Sequence, residues 1–144
     1  MDNQLELPDE LHDEIRSLCA KGDALAEARR LREALTAFNE AWKLIPDPKN
    51  EWEAATWVLA AIGDTAYLSG EYASARKALE YGMSCPGALG KPFMHLRFGQ
   101  VLYESNELDR AADELMRAYM GAGLDVFASE NPKYLSFLKS RAQL

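Results

Sequence analysis

Apolar residues recur along this chain at three- and four-residue intervals, with polar residues between them, so helices are predicted as its regular elements. Leu11, Ile15, Leu18, Gly22 and Leu25 mark one face of a first helix, from about Pro8 to Ala28. Leu31, Ala34, Leu35, Phe38, Ala41 and Trp42 mark a second, from Leu31 to Ile45, which Pro46-Asp47-Pro48 stops. The third spans about Glu51–Ser69 and the fourth about Tyr72–Met83, with a Ser69-Gly70 turn between them where glycine tolerates a left-handed backbone. Cys85-Pro86-Gly87 ends the fourth. Pro92 suits the first turn of a fifth helix reaching Glu104. A sixth runs from Leu108 to Met120, where Gly121-Ala122-Gly123 breaks the pattern. A short turn is expected over Leu124–Ala128, and Asn131-Pro132 opens a last helix reaching about Ala142.

A longer period overlies this one. Gly22, Gly63 and Gly99 each sit in the same frame. Leu18, Leu59 and His95 lie four positions before; Leu25, Ala66 and Leu102 lie three after. Ala34, Ala75 and Ala111 follow at twelve, and Phe38, Leu79 and Leu115 four beyond those. Ala41, Gly82 and Ala118 close the frame. A glycine in one helix and a small residue in the next let the two approach closely, as antiparallel helix hairpins require.

The frame resembles the tetratricopeptide (TPR) pattern from near residue 8 to near residue 123. The resemblance implies an all-α, TPR-like right-handed α-solenoid of three helix pairs plus a C-terminal capping helix. It implies a single domain over 1–144, with repeats at about 8–45, 51–84 and 92–121 and the cap at about 132–142. Both glycine intervals exceed the ideal repeat of about 34 residues, and inter-repeat loops absorb such an excess at little cost. Tyr134, Leu135 and Leu138 share one side of the last helix, which suits a cap over the end of a repeat array.

Charge narrows the partners. The net charge is −7, against a phosphate backbone and in favour of a basic polypeptide. Residues 1–14 carry Asp2, Glu6, Asp9, Glu10, Asp13 and Glu14 with no Lys or Arg, while the tail after Glu130 carries Lys133, Lys139 and Arg141 with no acid. Helix macrodipoles favour that distribution. The 144 residues, 48% hydrophobic and 27% charged, bound one folded domain rather than a disordered chain. Cys19 and Cys85 make neither a disulfide framework nor a zinc set. No apolar stretch spans a bilayer and no signal segment is expected, so a cytoplasmic setting follows, with no membrane and no nucleic acid as partner.

Nothing in the chain has the spacing of catalytic chemistry. H-E-x-x-H, G-x-S-x-G and Walker sequences are lacking, so no catalytic residue, no metal and no cofactor is expected, and the chain is not expected to be an enzyme. His12 reads as solvated within an acidic run. His95 reads as a packed, hydrogen-bonded histidine in a helix pair.

The surface is the more informative feature. If the first helix of each pair lines a concave face, the first repeat presents Arg16, Cys19, Asp23, Ala26 and Glu27. The second presents Trp57, Asp64 and Tyr67, and the third Phe93, Arg97, Gln100, Tyr103 and Glu104. Aromatics beside acids on a wet face suit binding hot spots for a basic segment. Trp57 and Phe93 equally suit packing against neighbouring repeats or the terminal helix. The exposed aromatics would also serve a homodimer.

One TPR subgroup grips the C-terminal carboxylate of heat-shock chaperones with a Lys/Asn clamp. Here the clamp positions fall on Cys19, Asp23, Ala61 and Phe93, and Arg97 alone keeps a basic type, so that partner is rejected. The segments Glu51–Trp57, Cys85–Ala88, Lys91–Arg97 and Ala111–Tyr119 are similar to those of small bacterial TPR proteins found beside Rhs-type polymorphic toxins. That resemblance implies an immunity protein that neutralises a cognate toxin domain by direct binding. The alternative is a TPR chaperone or adaptor for an effector or a secretion complex.

Overall fold

The computed structural model describes residues 7–144, so Asp2 and Glu6 of the acidic run lie outside the described residues. Seven α-helices are present among those residues, with no strand: α1 (Asp9–Glu27), α2 (Leu31–Leu44), α3 (Glu53–Leu68), α4 (Tyr72–Gly82), α5 (Pro92–Glu104), α6 (Leu108–Ala122) and α7 (Pro132–Arg141). Short 3-10 turns cover Lys49–Glu51 and Gly123–Phe127. None of the helices is long and apolar enough to cross a membrane. The chain divides into two compact units, one ending at Ala88 and the other Leu89–Leu144.

The first unit holds two helix hairpins, α1/α2 and α3/α4. Its core gathers Ile15 of α1, Phe38 and Ala41 of α2, Val58, Leu59 and Ile62 of α3 and Ala78 of α4, with Leu7 and Cys85 added from outside the helices. The connection between the hairpins is pinned by side chains reaching backbone carbonyls. Lys49 Nζ donates to the carbonyls of Trp42 and Ile45, and Trp52 Nε1 donates to Pro46 O at 2.9 Å. Thr56 Oγ1 likewise donates to Pro86 O at 2.7 Å, so this buried hydroxyl is satisfied.

The second unit holds the hairpin α5/α6 and the terminal α7. Met94, Leu96, Phe98, Val101 and Leu102 of α5 are buried, as are Ala111, Leu115 and Ala118 of α6 and Tyr134 and Leu138 of α7. Asn131 caps α7, its side chain accepting from Lys133 N at 3.0 Å, with Pro132 at the first helical position.

The glycine frame acts through a different partner from the one expected. A Cβ added to Gly63 would lie 2.5 Å from Leu79 Cγ, and one on Gly22 would lie 2.5 Å from Phe38 Cε1. One on Gly99 would meet Leu115 Cγ at 2.7 Å. Each glycine thus admits the large apolar residue of its own hairpin rather than the alanine four positions earlier. Ala34, Ala75 and Ala111 are themselves fully buried. The expected stop at Gly121 also shifts: Gly121 lies inside α6, against Pro92, and the helix ends at Gly123, whose φ is +68°.

Candidate functional site

Two helical stripes meet in the first unit. Arg16, Cys19, Ala20 and Asp23 follow one face of α1 at i, i+3, i+4 and i+7, and with Trp57 of α3 they line an open groove of about 330 Å³. Trp57 is half-buried, its indole against the core side and edge-on to the His12 ring, with centroids 6.0 Å apart at 75°. His12 is therefore half-buried too, rather than solvated as expected.

Burial, aided by the negative charge of Asp23 and opposed by Arg16, pushes the Cys19 thiol up to about 11, so it stays neutral and poorly nucleophilic near pH 7. The Asp23 carboxyl is also raised, first by burial and then by Glu27 nearby. Asp64 lies two turns beyond Trp57 on the same face of α3, and Tyr67 leans on Tyr72 with ring centroids 5.9 Å apart. Both are half-buried, and neither lines this groove.

In the second unit, four of the residues expected on an open face meet the chain's own C-terminal segment. Arg97 is 6% exposed and Gln100 is fully buried. The Arg97 guanidinium donates to Gln100 Oε1 at 2.7 Å and to Glu130 Oε1, and Gln100 Nε2 donates to the same Glu130 oxygen at 2.8 Å. Tyr103 packs edge-on to Tyr134 and Phe137, at 5.4 and 5.1 Å between centroids. Glu104 accepts from the Tyr134 hydroxyl at 2.7 Å and from Lys133 Nζ at 2.7 Å. Burial alone would raise the Glu104 carboxyl, but the bonds from Lys133 and Tyr134 outweigh it and hold it below its usual range.

An arginine beneath a protein surface needs a carboxylate, because an unpaired buried charge is costly, and Glu130 supplies one. Phe93 alone of the third-repeat set stays exposed, at 44%, with its ring 4.9 Å from the Arg97 guanidinium carbon. Sequence reasoning overlooked Glu130, Lys133 and Tyr134 as partners. The available signal was an Arg and a Gln one turn apart inside an otherwise apolar stretch of α5.

His95 is packed and hydrogen-bonded, as expected. Gly90 N donates to its Nε2 at 2.9 Å, so Nδ1 carries the proton and donates to Glu114 Oε1 at 2.6 Å. Neither ring nitrogen is left for proton transfer. Among the described residues no cluster of His, Cys, Asp and Glu has the arrangement of a metal site.

A larger groove, about 580 Å³, was not anticipated. It runs over the second-helix side of the first unit, between α2 and α4, with Leu59 and Ile62 of α3 in its floor.

No protein-family model matches this chain, and no curated protein matches it. Among solved structures it is similar to the type III secretion chaperone SycD of Yersinia enterocolitica, in complex with a peptide of the translocator YopD. It is equally similar to an alternative dimer of the same chaperone. Each comparison gives 15% identity and a TM-score of 0.65 over 96% of this chain and 95% of that one. Such a likeness is one of fold: the chain has an all-α, TPR-like fold.

Proposed function

We propose that this chain is a protein-binding module that serves as a chaperone or adaptor, holding an extended segment of a partner against the α1/α3 face. The observation that carries the reading is the groove of Arg16, Cys19, Asp23 and Trp57. It is open to solvent, anchored by one half-buried indole, and carries one carboxylate, Asp23, beside Arg16. An aromatic anchor supplies area at low entropic cost, and Asp23, with Glu27 close by, favours Lys or Arg on the bound segment.

The fold neighbours favour this reading over immunity to an Rhs-type toxin, because one of them is a chaperone bound to a peptide of its translocator. Nothing in the groove calls for catalysis. Its thiol is neutral near pH 7, because burial and the Asp23 charge both disfavour the thiolate.

The probes for a test are the proteins encoded beside this gene, each as a folded product and as short overlapping peptides. One peptide should bind and displace its parent protein. Trp57→Ala should weaken that binding about 30-fold, as loss of a central aromatic anchor does. Asp23→Lys should weaken it about tenfold, through loss of complementarity. A folded product that binds tightly, with no peptide competing, would instead restore the immunity reading.

A further inference from the structure

The second-helix side of the first unit carries a groove that the proposed peptide face does not use. Leu35 and Trp42 of α2, Leu59 and Ile62 of α3, and Ala78 of α4 give it an apolar bed. Tyr81 stands at one wall, 43% exposed, with its ring edge-on to Trp42 at 5.6 Å. Lining residues on α2 run from Arg32 to Trp42, and on the other wall from Glu71, just before α4, to Tyr81 within it. At 1.5 Å per residue each wall is roughly 15 Å long, about three helical turns.

The rim has a charge sign opposite to that of the whole chain. Arg32 and Lys77 stand on opposite walls, both exposed, and neither makes an ion pair among the described residues. The lining contains one acid, Glu71, at the start of α4. Glu80 on α4 is already within reach of Arg76. A molecule with net charge −7 thus places one cation on each side of an apolar bed, neither of them in an ion pair among the described residues.

We propose that this groove is a second docking surface, distinct from the α1/α3 face, and that it takes an acidic amphipathic helix of a partner protein, about three turns long. The apolar side of such a helix lies on Leu35, Trp42 and Tyr81, over a floor of the buried Leu59 and Ile62, and its flanking Asp or Glu side chains reach Arg32 on one wall and Lys77 on the other. Helix-in-groove recognition of this kind reads apolar anchors at i, i+3, i+4 and i+7. The flanking charges set which helices are accepted.

The test uses the full chain and two synthetic helical peptides that share leucines at those spacings. One is flanked by Glu and the other by Lys, each carries a fluorophore, and binding is followed by anisotropy. The Glu-flanked peptide should bind at least about tenfold tighter than the Lys-flanked one. The double variant Arg32→Glu, Lys77→Glu should reverse that order; both positions are exposed, so its helicity should match the parent. Trp57→Ala should leave the binding unchanged, which separates this surface from the peptide face. Equal binding of both peptides, binding of neither, or an order that survives charge reversal overturns the proposal. So does a concentration-dependent dimer of the parent chain that the double variant abolishes, because the groove would then belong to a second copy.

Discussion

Arg29, Gly70 and Asn106 differ in chemistry but share one backbone conformation, with φ of +63°, +77° and +62°. Each follows the first helix of a hairpin. Each is bracketed by the same pair of hydrogen bonds: Arg29 N to Ala26 O with Arg30 N to Leu25 O, Gly70 N to Tyr67 O with Glu71 N to Ala66 O, and Asn106 N to Tyr103 O with Glu107 N to Leu102 O. These are Schellman caps, which want a left-handed residue at that point. Arginine meets the requirement with a Cβ penalty that glycine lacks and asparagine tolerates. Arg29→Gly should therefore raise stability by about 0.5–1 kcal/mol and Asn106→Gly by less. Gly70→Ala should lower stability by about 1 kcal/mol for backbone reasons alone, because an added Cβ there meets nothing within 4 Å. Thermal melts decide the matter, and a lower melting temperature for Arg29→Gly would refute the argument. The hairpin glycines act by contact instead. Gly63→Ala drives a methyl into Leu79 and should cost about 1–3 kcal/mol, while Leu79→Ala leaves a cavity and costs about 2–5 kcal/mol. The double variant should cost clearly less than the sum, because each change relieves the other. Gly99→Ala with Leu115→Ala should recover less, since the added Cβ also meets Leu115 N at 3.1 Å, and backbone does not move aside.

α7 illustrates how an element is held by a few polar contacts over an aromatic seat. Tyr134 and Phe137 sit on Tyr103, Lys133 and the Tyr134 hydroxyl converge on Glu104, and Arg141 reaches Asp109 at 2.8 Å. The Arg141–Asp109 pair is solvent-exposed and contributes little. Glu104 is the polar contact that matters, and its lowered carboxyl fixes the sign of the pH response. A group whose folded value is depressed contributes stability above its ordinary value, here 4.5, and loses that contribution as pH falls through the folded value. Protection of the α7 amides against hydrogen exchange, taken relative to the intrinsic exchange rate at each pH, should therefore be high at neutral pH and should fall below about pH 4.5. In Glu104→Gln the same amides should exchange faster at pH 7, by an amount equivalent to about 1 kcal/mol, and the acid limb should flatten. An unchanged pH profile in that variant would remove Glu104 from the account. The ends of α5 and α7 were legible in the sequence because Pro92 and Asn131-Pro132 act locally. The end of α6 was not, because Gly121 lies inside the helix and packs against Pro92, a proximity no local pattern encodes. Likewise the aromatic and acidic positions of α5 were readable as a face. Their occupant was not, since Glu130 lies 33 residues beyond Arg97 and helical periodicity carries no information over that distance.

At the scale of the whole molecule, the two proposed surfaces have opposite relations to the net charge. A basic segment approaching the α1/α3 face moves down the field of a −7 chain and is steered toward it, so its association rate should fall as salt is added. An acidic helix approaching the α2/α4 groove moves against that field until it comes close to Arg32 and Lys77. Screening removes the distant repulsion first, because the Debye length is about 10 Å at 0.1 M salt and only about 3 Å at 1 M. Between low salt and about 0.1 M, the association rate of a Glu-flanked helical peptide should hold steady or rise, while its dissociation rate climbs as the near contacts weaken. Stopped-flow anisotropy across that range would separate the two rates for each ligand. Arg32→Glu with Lys77→Glu should invert the salt dependence of dissociation for the Glu-flanked peptide, because added salt then screens a repulsion. The same variant should leave the basic segment's falling association rate in place, since that rate answers to the overall field. Parallel falls in association rate for both ligands would mean that the local cations, rather than the −7 of the chain, govern the approach to the groove. The field argument would then fail, while the docking surface itself would still be judged by the equilibrium preference for Glu over Lys.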